Sequence, residues 1–256
     1  MEAGETRLLV DAGLGPRTLA ERLRAAGVDP ASLTAVLLSH EHNDHARGAS
    51  LFCRRWGVPW IATPGTALAS GLKAAGVAGG GAIEPGVSRE IGGVRVTGVP
   101  VPHDAAEPVA FVITYGEWSL GHATDLGCVT PALVDALRGC HTVLIESNYD
   151  PGMLRDGPYP WRLKERILSP LGHLSNQDAA RYLVQGLGES CRTVMLAHLS
   201  QNNNYPEVAR ACAEIALRSA GRTGIELRVA GRRGSDWVEV SPADGGAEAR
   251  EQFRLF

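Results

Sequence analysis

Residues 39–45 read Ser-His-Glu-His-Asn-Asp-His, an H-x-H-x-D-H spacing built from His40, His42, Asp44 and His45. Neutral imidazole and carboxylate are the donors that borderline divalent metals such as zinc and manganese accept. The motif stands after Thr34–Ser39, whose apolar run Ala-Val-Leu-Leu is that of a strand buried in a sheet, and before a helical pattern. Side chains two apart on an extended segment share a face, so His40 and His42 aim to one side. Asp44 and His45, on the turn into the helix, aim elsewhere, and one short segment can serve two neighbouring metal ions. The chain has only eight His, and three of them fall in this segment, which is not what an incidental polar loop contains.

A metal site needs more donors than one loop supplies, and further candidates stand where strand patterns exit into loops. His103 follows Val99-Pro-Val-Pro and precedes Asp104; Asp125 lies in Ala123-Thr-Asp-Leu-Gly; His198 follows Val194-Met-Leu-Ala. Each alone is an ordinary polar residue, and their shared placement is what joins them to the first motif. Two divalent ions about 3.5–4 Å apart can share a hydroxide and bring its pKa towards neutrality, so no Ser, Cys or Lys nucleophile is required. Asp11 and Asp104 read as carboxylates that orient ligand imidazoles. His122 reads as lining the pocket, and His141, beside Cys140 at a helix end, as structural.

The elements that must position these residues alternate between two textures. Leu8–Val10 leads through Asp11-Ala-Gly-Leu-Gly into a helix with Pro16 in its first turn, ending near Gly27. After the histidine motif a helix runs to Trp56 with Gly57 as its stop, then Val58–Ala62 reads as a strand. From Gly92 to Leu120 the pattern is hairpin-rich and antiparallel: Val94–Val99 alternates, and Pro108–Thr114 and Trp118–Leu120 flank a Tyr-Gly-Glu turn. Helices are expected at Pro131–Leu137, Trp161–Leu168 and Pro206–Ala220, and Ser175-Asn-Gln-Asp has capping-box form ahead of a helix towards Gln185. Thr193–Ala197, Ile225–Val229 and Trp237–Val240 complete the strands. This mixture predicts a layered α/β domain over residues 1–240, followed by a Gly-, Ala- and Glu-rich, loosely held tail over 241–256.

The motifs together resemble the metallo-β-lactamase superfamily, and within it the YycJ-type (WalJ-type) hydrolases. The residues carrying this are the Asp11-Ala-Gly turn, Ser39-His-Glu-His-Asn-Asp-His, Pro102-His-Asp-Ala, Ala123-Thr-Asp-Leu-Gly, Glu146-Ser-Asn, Gly172-His-Leu-Ser-Asn and Ala197-His-Leu-Ser-Gln-Asn-Asn. The resemblance implies an αββα sandwich of two mixed sheets with helices outside and the site at one edge. It also implies that His40, His42 and His103 bind one metal, that Asp44, His45 and His198 bind a second, and that Asp125 bridges them. It makes Asp44 and His173 the catalytic candidates, since the similar Gly-His of related phosphodiesterases lies near the scissile phosphate and His173 would protonate the leaving group. Two departures stand out. The strand and Gly/Ser-rich turn that usually precede the segment matching Thr6–Val10 are absent, leaving a truncated or mis-called start and part of a sheet exposed. Tyr149 occupies a position where His is expected.

The activity implied is a dinuclear metal-dependent phosphodiesterase, a 5′-to-3′ exonuclease on DNA or another phosphodiester, acting through a metal-bridging hydroxide. The interval between Asp125 and His198 is too short for the inserted domain of the RNA-cleaving β-CASP branch, and no basic insertion offers a tRNA-binding arm. With a formal net charge of −3 and no Lys/Arg run, grip on the backbone falls to rim residues such as Arg47, Arg54, Arg162, Lys164 and Arg166, with Asn202–Asn204 as candidate polar contacts. A thioester, lactone or β-lactam hydrolase is the alternative with the same metal motif. A flavodiiron-like redox protein is disfavoured because His42 is not acidic, and a non-enzymatic, metal-bound regulatory or interaction protein because the donor set is complete. Five scattered cysteines without a CxxC pair, no secretory signal and no long apolar stretch point to a cytoplasmic protein without a membrane span.

Overall fold

The computed structural model describes residues 1–72, 77, 80–231, 238–240 and 253–255, with backbone only at 239 and 253–255. A short β1 (Glu2–Ala3) turns into β2 (Thr6–Val10), and α1 (Pro16–Ala25) leads to β3 (Ala35–Leu38). The chain continues through α2 (Asn43–Ala46), α3 (Ala49–Trp56), β4 (Trp60–Ala62), α4 (Pro64–Ala69) and β5 (Gly81–Ala82). Four strands then follow in succession: β6 (Ser88–Ile91), β7 (Val94–Pro100), β8 (Val109–Tyr115) and β9 (Trp118–Ala123). Next come α5 (Pro131–Leu137), β10 (Thr142–Glu146), α6 (Pro151–Asp156), α7 (Trp161–Leu168), α8 (Asn176–Gln185), β11 (Thr193–Ala197) and α9 (Pro206–Ser219). The last strands are β12 (Glu226–Val229), β13 (Val238–Glu239) and β14 (Phe253–Leu255).

The strands form two sheets, ordered β13-β14-β1-β2-β3-β4-β5 and β12-β11-β10-β9-β8-β7-β6. Both are mixed. β2 to β5 run parallel while β1, β13 and β14 pair antiparallel, and β9 to β12 run parallel while β6 to β9 form an antiparallel meander. The sandwich follows from strands that are apolar on both faces. In β3, Ala35 and Leu37 join the core between the sheets, whereas Val36 and Leu38 pack outward with Leu19, Leu23 and Phe52 of the covering helices. In the second sheet Leu144 and Met195 face inward, while Val143, Ile145, Val194 and Leu196 pack against α5, α8 and α9. Period-two alternation therefore fills three apolar layers, which is the physical content of an αββα architecture.

Several local expectations match the structure. Gly57 ends α3 with φ of 68°, and Ser175 caps α8 by accepting from the Asp178 amide at 3.1 Å. Three differ. The helix after the histidine motif is two pieces, because the Gly48 amide is drawn to the Ala12 carbonyl at 2.8 Å. The strand Thr142–Glu146, between β9 and β11 at the centre of its sheet, is missing from the sequence reading, since a five-residue apolar run after a helix carries no periodicity of its own. Ahead of β2, the pair Glu2–Ala3 contacts both β2 and β14, so that stretch of edge is covered. Trp237 and, of the expected tail 241–256, residues 241–252 and 256 lie outside the described residues. No described helix is long and apolar enough to cross a membrane.

Candidate metal centre

Both sheets present strand ends on one edge of the sandwich, and the chemistry-bearing residues gather there. His40 and His42 leave β3, Asp44 and His45 lie on α2, His103 follows β7, Asp125 follows β9, and His198 follows β11. Three residues at this edge adopt left-handed backbone: Asp11 with φ of 62°, and Asp125 and His198 each with φ of 57°. They are the described non-glycine residues with positive φ. Asp and His tolerate this region better than most side chains, and the conformation turns each one back over its own strand end.

Four groups of donors have their ligating atoms within 4.8 Å of one another: His40–His42–His103, Asp44–His45–His198, His40–His45–Asp125, and Asp125–Glu146–His173–His198. All seven residues expected from the sequence are therefore brought together. Asp125 lies between the first two groups, with Oδ2 3.1 Å from His45 Nε2 and Oδ1 3.7 Å from His103 Nε2.

The imidazoles are held by their other nitrogen. His40 Nδ1 donates to Ser39 Oγ at 3.0 Å, and Ser39 Oγ in turn donates to Asp11 Oδ2 at 2.8 Å. His45 Nδ1 donates to Asp11 Oδ2 at 2.7 Å, His103 Nδ1 to the Gly172 carbonyl at 3.0 Å, and His198 Nδ1 to Glu146 Oε1 at 2.8 Å. Each arrangement leaves Nε2 with its lone pair turned inward, as metal-binding histidines require. The fit to a cation is visible in what is left over: His40 Nε2 is buried without a hydrogen-bond partner, and buried His45 Nε2 and Asp125 Oδ2 have only each other, 3.1 Å apart, without a well-aligned hydrogen bond. Buried polar atoms ordinarily find well-formed partners, and three converging donors left this way suit a divalent metal. Asp11 accordingly orients imidazoles as expected. Asp104 lies 3.8 Å from His42 Nε2 and 3.5 Å from His103 Nε2, but its carboxylate is engaged by Arg166 at 2.5 and 3.1 Å.

The electrostatics divide the edge in two. Burial pushes His40 down to about 3 and also lowers His103, so both stay neutral. Hydrogen bonds from His198 and His45 hold Asp44 far below the usual carboxylate range. Burial opposes the charged form of His45 and His198, yet Asp11 raises the first and Asp125 the second. A divalent cation satisfies the same carboxylates and displaces those protons.

Glu146 is the residue that sequence reasoning quoted without giving it a task. It is fully buried at the end of β10. Oε1 accepts from His173 Nδ1 at 2.9 Å and from His198 Nδ1 at 2.8 Å. Oε2 accepts from the Leu126 and Leu174 amides at 3.0 and 3.1 Å. A carboxylate closing an otherwise apolar strand, Thr-Val-Leu-Ile-Glu, was the available signal.

A solvent-open cleft of about 320 Å³ flanks the centre, and its lining includes His173, His198, Tyr159, Leu163, Ile167 and Leu199. Of the five candidate backbone-binding cations, Arg166 lines it. Lys164 does not: it is buried and donates to the Arg155 and Gly157 carbonyls at 2.7 and 2.8 Å. Arg47, Arg54 and Arg162 are exposed and do not line the cleft. Asn202 lines it, whereas Asn203 and Asn204 are buried, and Asn204 donates to the Ser147 and Asn148 carbonyls at 2.8 and 3.1 Å. His122 lines a different cavity, with Leu8, Val10 and Leu144. His141 contacts Ser119 Oγ at 3.1 Å and the Trp118 ring, consistent with a structural place. Tyr149, at the position expected to be His, packs with Leu154 and Ile167.

Comparison with known proteins agrees with this geometry. Residues 6–213 match the family described as Beta-lactamase superfamily domain. The chain is 35% identical over 234 residues to the exodeoxyribonuclease WalJ of Streptococcus pneumoniae, covering 90% of this chain and 87% of that one. It is 32% identical over 219 residues to the exodeoxyribonuclease YycJ of Bacillus anthracis, covering 85% and 83%. In structure it is similar to the metallo-β-lactamase fold protein YhfI of Bacillus subtilis, with a TM-score of 0.69 and 18% identity over 91% of this chain and 88% of that one. The chain belongs to the metallo-β-lactamase superfamily, in its YycJ/WalJ-type branch.

Proposed function

We propose that this chain is a dinuclear metal-dependent phosphodiesterase that removes nucleotides from DNA in the 5′-to-3′ direction. The observation that carries the reading is the convergence of seven donors, with His40 Nε2, His45 Nε2 and Asp125 Oδ2 buried among them and in no well-formed hydrogen bond. The relatives named exodeoxyribonuclease, at 35% and 32% identity, supply the substrate class. His40, His42 and His103 would hold one ion, Asp44, His45 and His198 the other, and Asp125 would touch both. Zinc and manganese both suit this donor set. When bound, the ions supply Lewis-acid stabilisation of a phosphoryl oxygen and an activated water.

The chain's own groups do the rest. Asp11, Ser39, Gly172 and Glu146 fix the imidazole tautomers, so the donors need no reorganisation. Glu146 holds His173 by Nδ1, leaving Nε2 of a cleft-lining ring as the atom that hands a proton to the leaving oxygen. Arg166, steered by Asp104, is the cleft's cation for the substrate backbone. Five free cysteines suit a reducing cytoplasm as the working compartment.

The test is cleavage of 5′-labelled single-stranded and duplex DNA with zinc or manganese, beside a thioester, a lactone and a β-lactam. Metal-dependent release of nucleotides that is lost in Asp44→Ala supports the reading. Metal-loaded protein that leaves DNA intact but hydrolyses a small ester moves the substrate class to that ester.

A further inference from the structure

The cleft beside the metal centre is lined by two dissimilar kinds of residue. His173, His198 and Arg166 offer polar groups, and Tyr159, Leu163, Ile167 and Leu199 offer apolar surface. A phosphodiester needs only the polar groups. The apolar surface is unexplained by the hydrolytic chemistry and calls for an apolar, flat part of the substrate.

Tyr159 is set as a fixed face. It stands between Pro158 and Pro160, which restrict the backbone on both sides. The preceding carbonyls of Arg155 and Gly157 are both clamped by buried Lys164 Nζ, at 2.7 and 2.8 Å. Asn202 Nδ2, from another lining segment of the cleft, donates to Tyr159 Oη at 3.0 Å. The residue packs against the Tyr149–Leu154–Ile167 cluster and yet remains half-exposed. A ring anchored at its backbone and at its hydroxyl loses little freedom when something stacks on it.

Resting on the nuclease reading above, we infer that this cleft is the pocket for the unpaired terminal nucleoside of the DNA strand, with Tyr159 as the surface on which its base stacks. A cleft of about 320 Å³ lies in the range of single small-molecule sites. A duplex end brings two bases and two backbones, so the terminal base leaves its partner before it enters. Base–aromatic stacking is tolerant of sequence because every base has a π-face. The uncharged amide of Gln201 at the rim adds polar contact without selecting one base. The device thus confers preference for a single-stranded or frayed end while leaving sequence unread.

The test compares kcat/KM for release of the terminal nucleotide from two single strands, one intact and one carrying an abasic tetrahydrofuran residue at the end attacked. Wild-type, Tyr159→Ala and Tyr159→Phe enzymes are used, with metal content measured in each. On the intact strand, Y159A is expected to lose about 5- to 100-fold, the contribution of one stacked base, and Y159F to remain near wild-type because the ring survives. On the abasic strand the wild-type enzyme falls to the same level and the difference between wild-type and Y159A disappears. An equal loss in Y159A on both strands, or none on either, overturns the stacking role. Wild-type, metal-loaded protein that releases nucleotides from neither strand while hydrolysing a small ester overturns the nuclease reading itself.

Discussion

His40, His42 and His103 meet as a cluster of imidazoles, whereas Asp44, His45 and His198 meet within a ring of carboxylates. In the first cluster burial is the main influence: His40 and His103 are nearly inaccessible, and both are pushed away from the charged form. The nearby Asp104 is occupied by Arg166. In the second, Asp11, Asp44, Asp125 and Glu146 surround two imidazoles, and the Asp44 side chain is 68% exposed. The first cluster is a preformed group of imidazoles, with His103 Nε2 3.3 Å from His42 Nδ1. The second carries an excess of negative charge that a cation neutralises, and it opens towards solvent and the cleft. Similar donor types therefore give one site suited to holding an ion and one suited to presenting it.

The sharpest break of this contrast is Asp125→Ala, because Asp125 belongs to both clusters. Hydrolysis is expected to fall to background and metal stoichiometry to drop below that of the parent. Activity near wild-type would sink the two-ion assignment. His173→Ala comes next, with a loss of about 10²–10⁴ in turnover at unchanged metal content. Unchanged turnover on a substrate with a poor leaving group returns His173 to a structural place.

Glu146→Gln is expected to cost about 10- to 100-fold in activity or metal affinity, and to do so selectively. The amide cannot accept from both His173 and His198 Nδ1 while also accepting from the Leu126 and Leu174 amides. Metal titration should weaken the second cluster and spare the first; equal weakening of both argues against the division. The smallest effect is that of Gly13→Ala. A Cβ there would collide with the Asp44 backbone, where the Ala12 amide is bound to the His45 carbonyl at 2.6 Å. Overpacking of this kind costs about 1–3 kcal/mol, read as a lower Tm, with the second cluster losing metal before the first.

Much of this was legible in the chain. The H-x-H-x-D-H spacing, the donors His103, Asp125 and His198 at strand exits, and the antiparallel texture from Gly92 to Leu120 depend on neighbours in sequence, and all match what the structure places there. Glu146 was not legible in that way. Its partners are 27 and 52 positions away, and its strand carries no alternation because both its faces are buried. Lys164 resembled a solvated cation for the opposite reason: local composition cannot reveal that two carbonyls at the end of α6, those of Arg155 and Gly157, take up its donors.

What the sequence by itself determined is which side chains can bind metal and which of the periodic segments are strands or helices, because residue chemistry and period are local properties. Only the tertiary structure decided that the ends of β2, β3, β7, β9 and β11 share one edge. It also decided that Asp11, Asp125 and His198 turn left-handed to face one another, and that one aromatic and one arginine line the cleft. Those choices are made by two sheets packing their apolar faces together, a long-range condition that residue spacing along the chain does not encode.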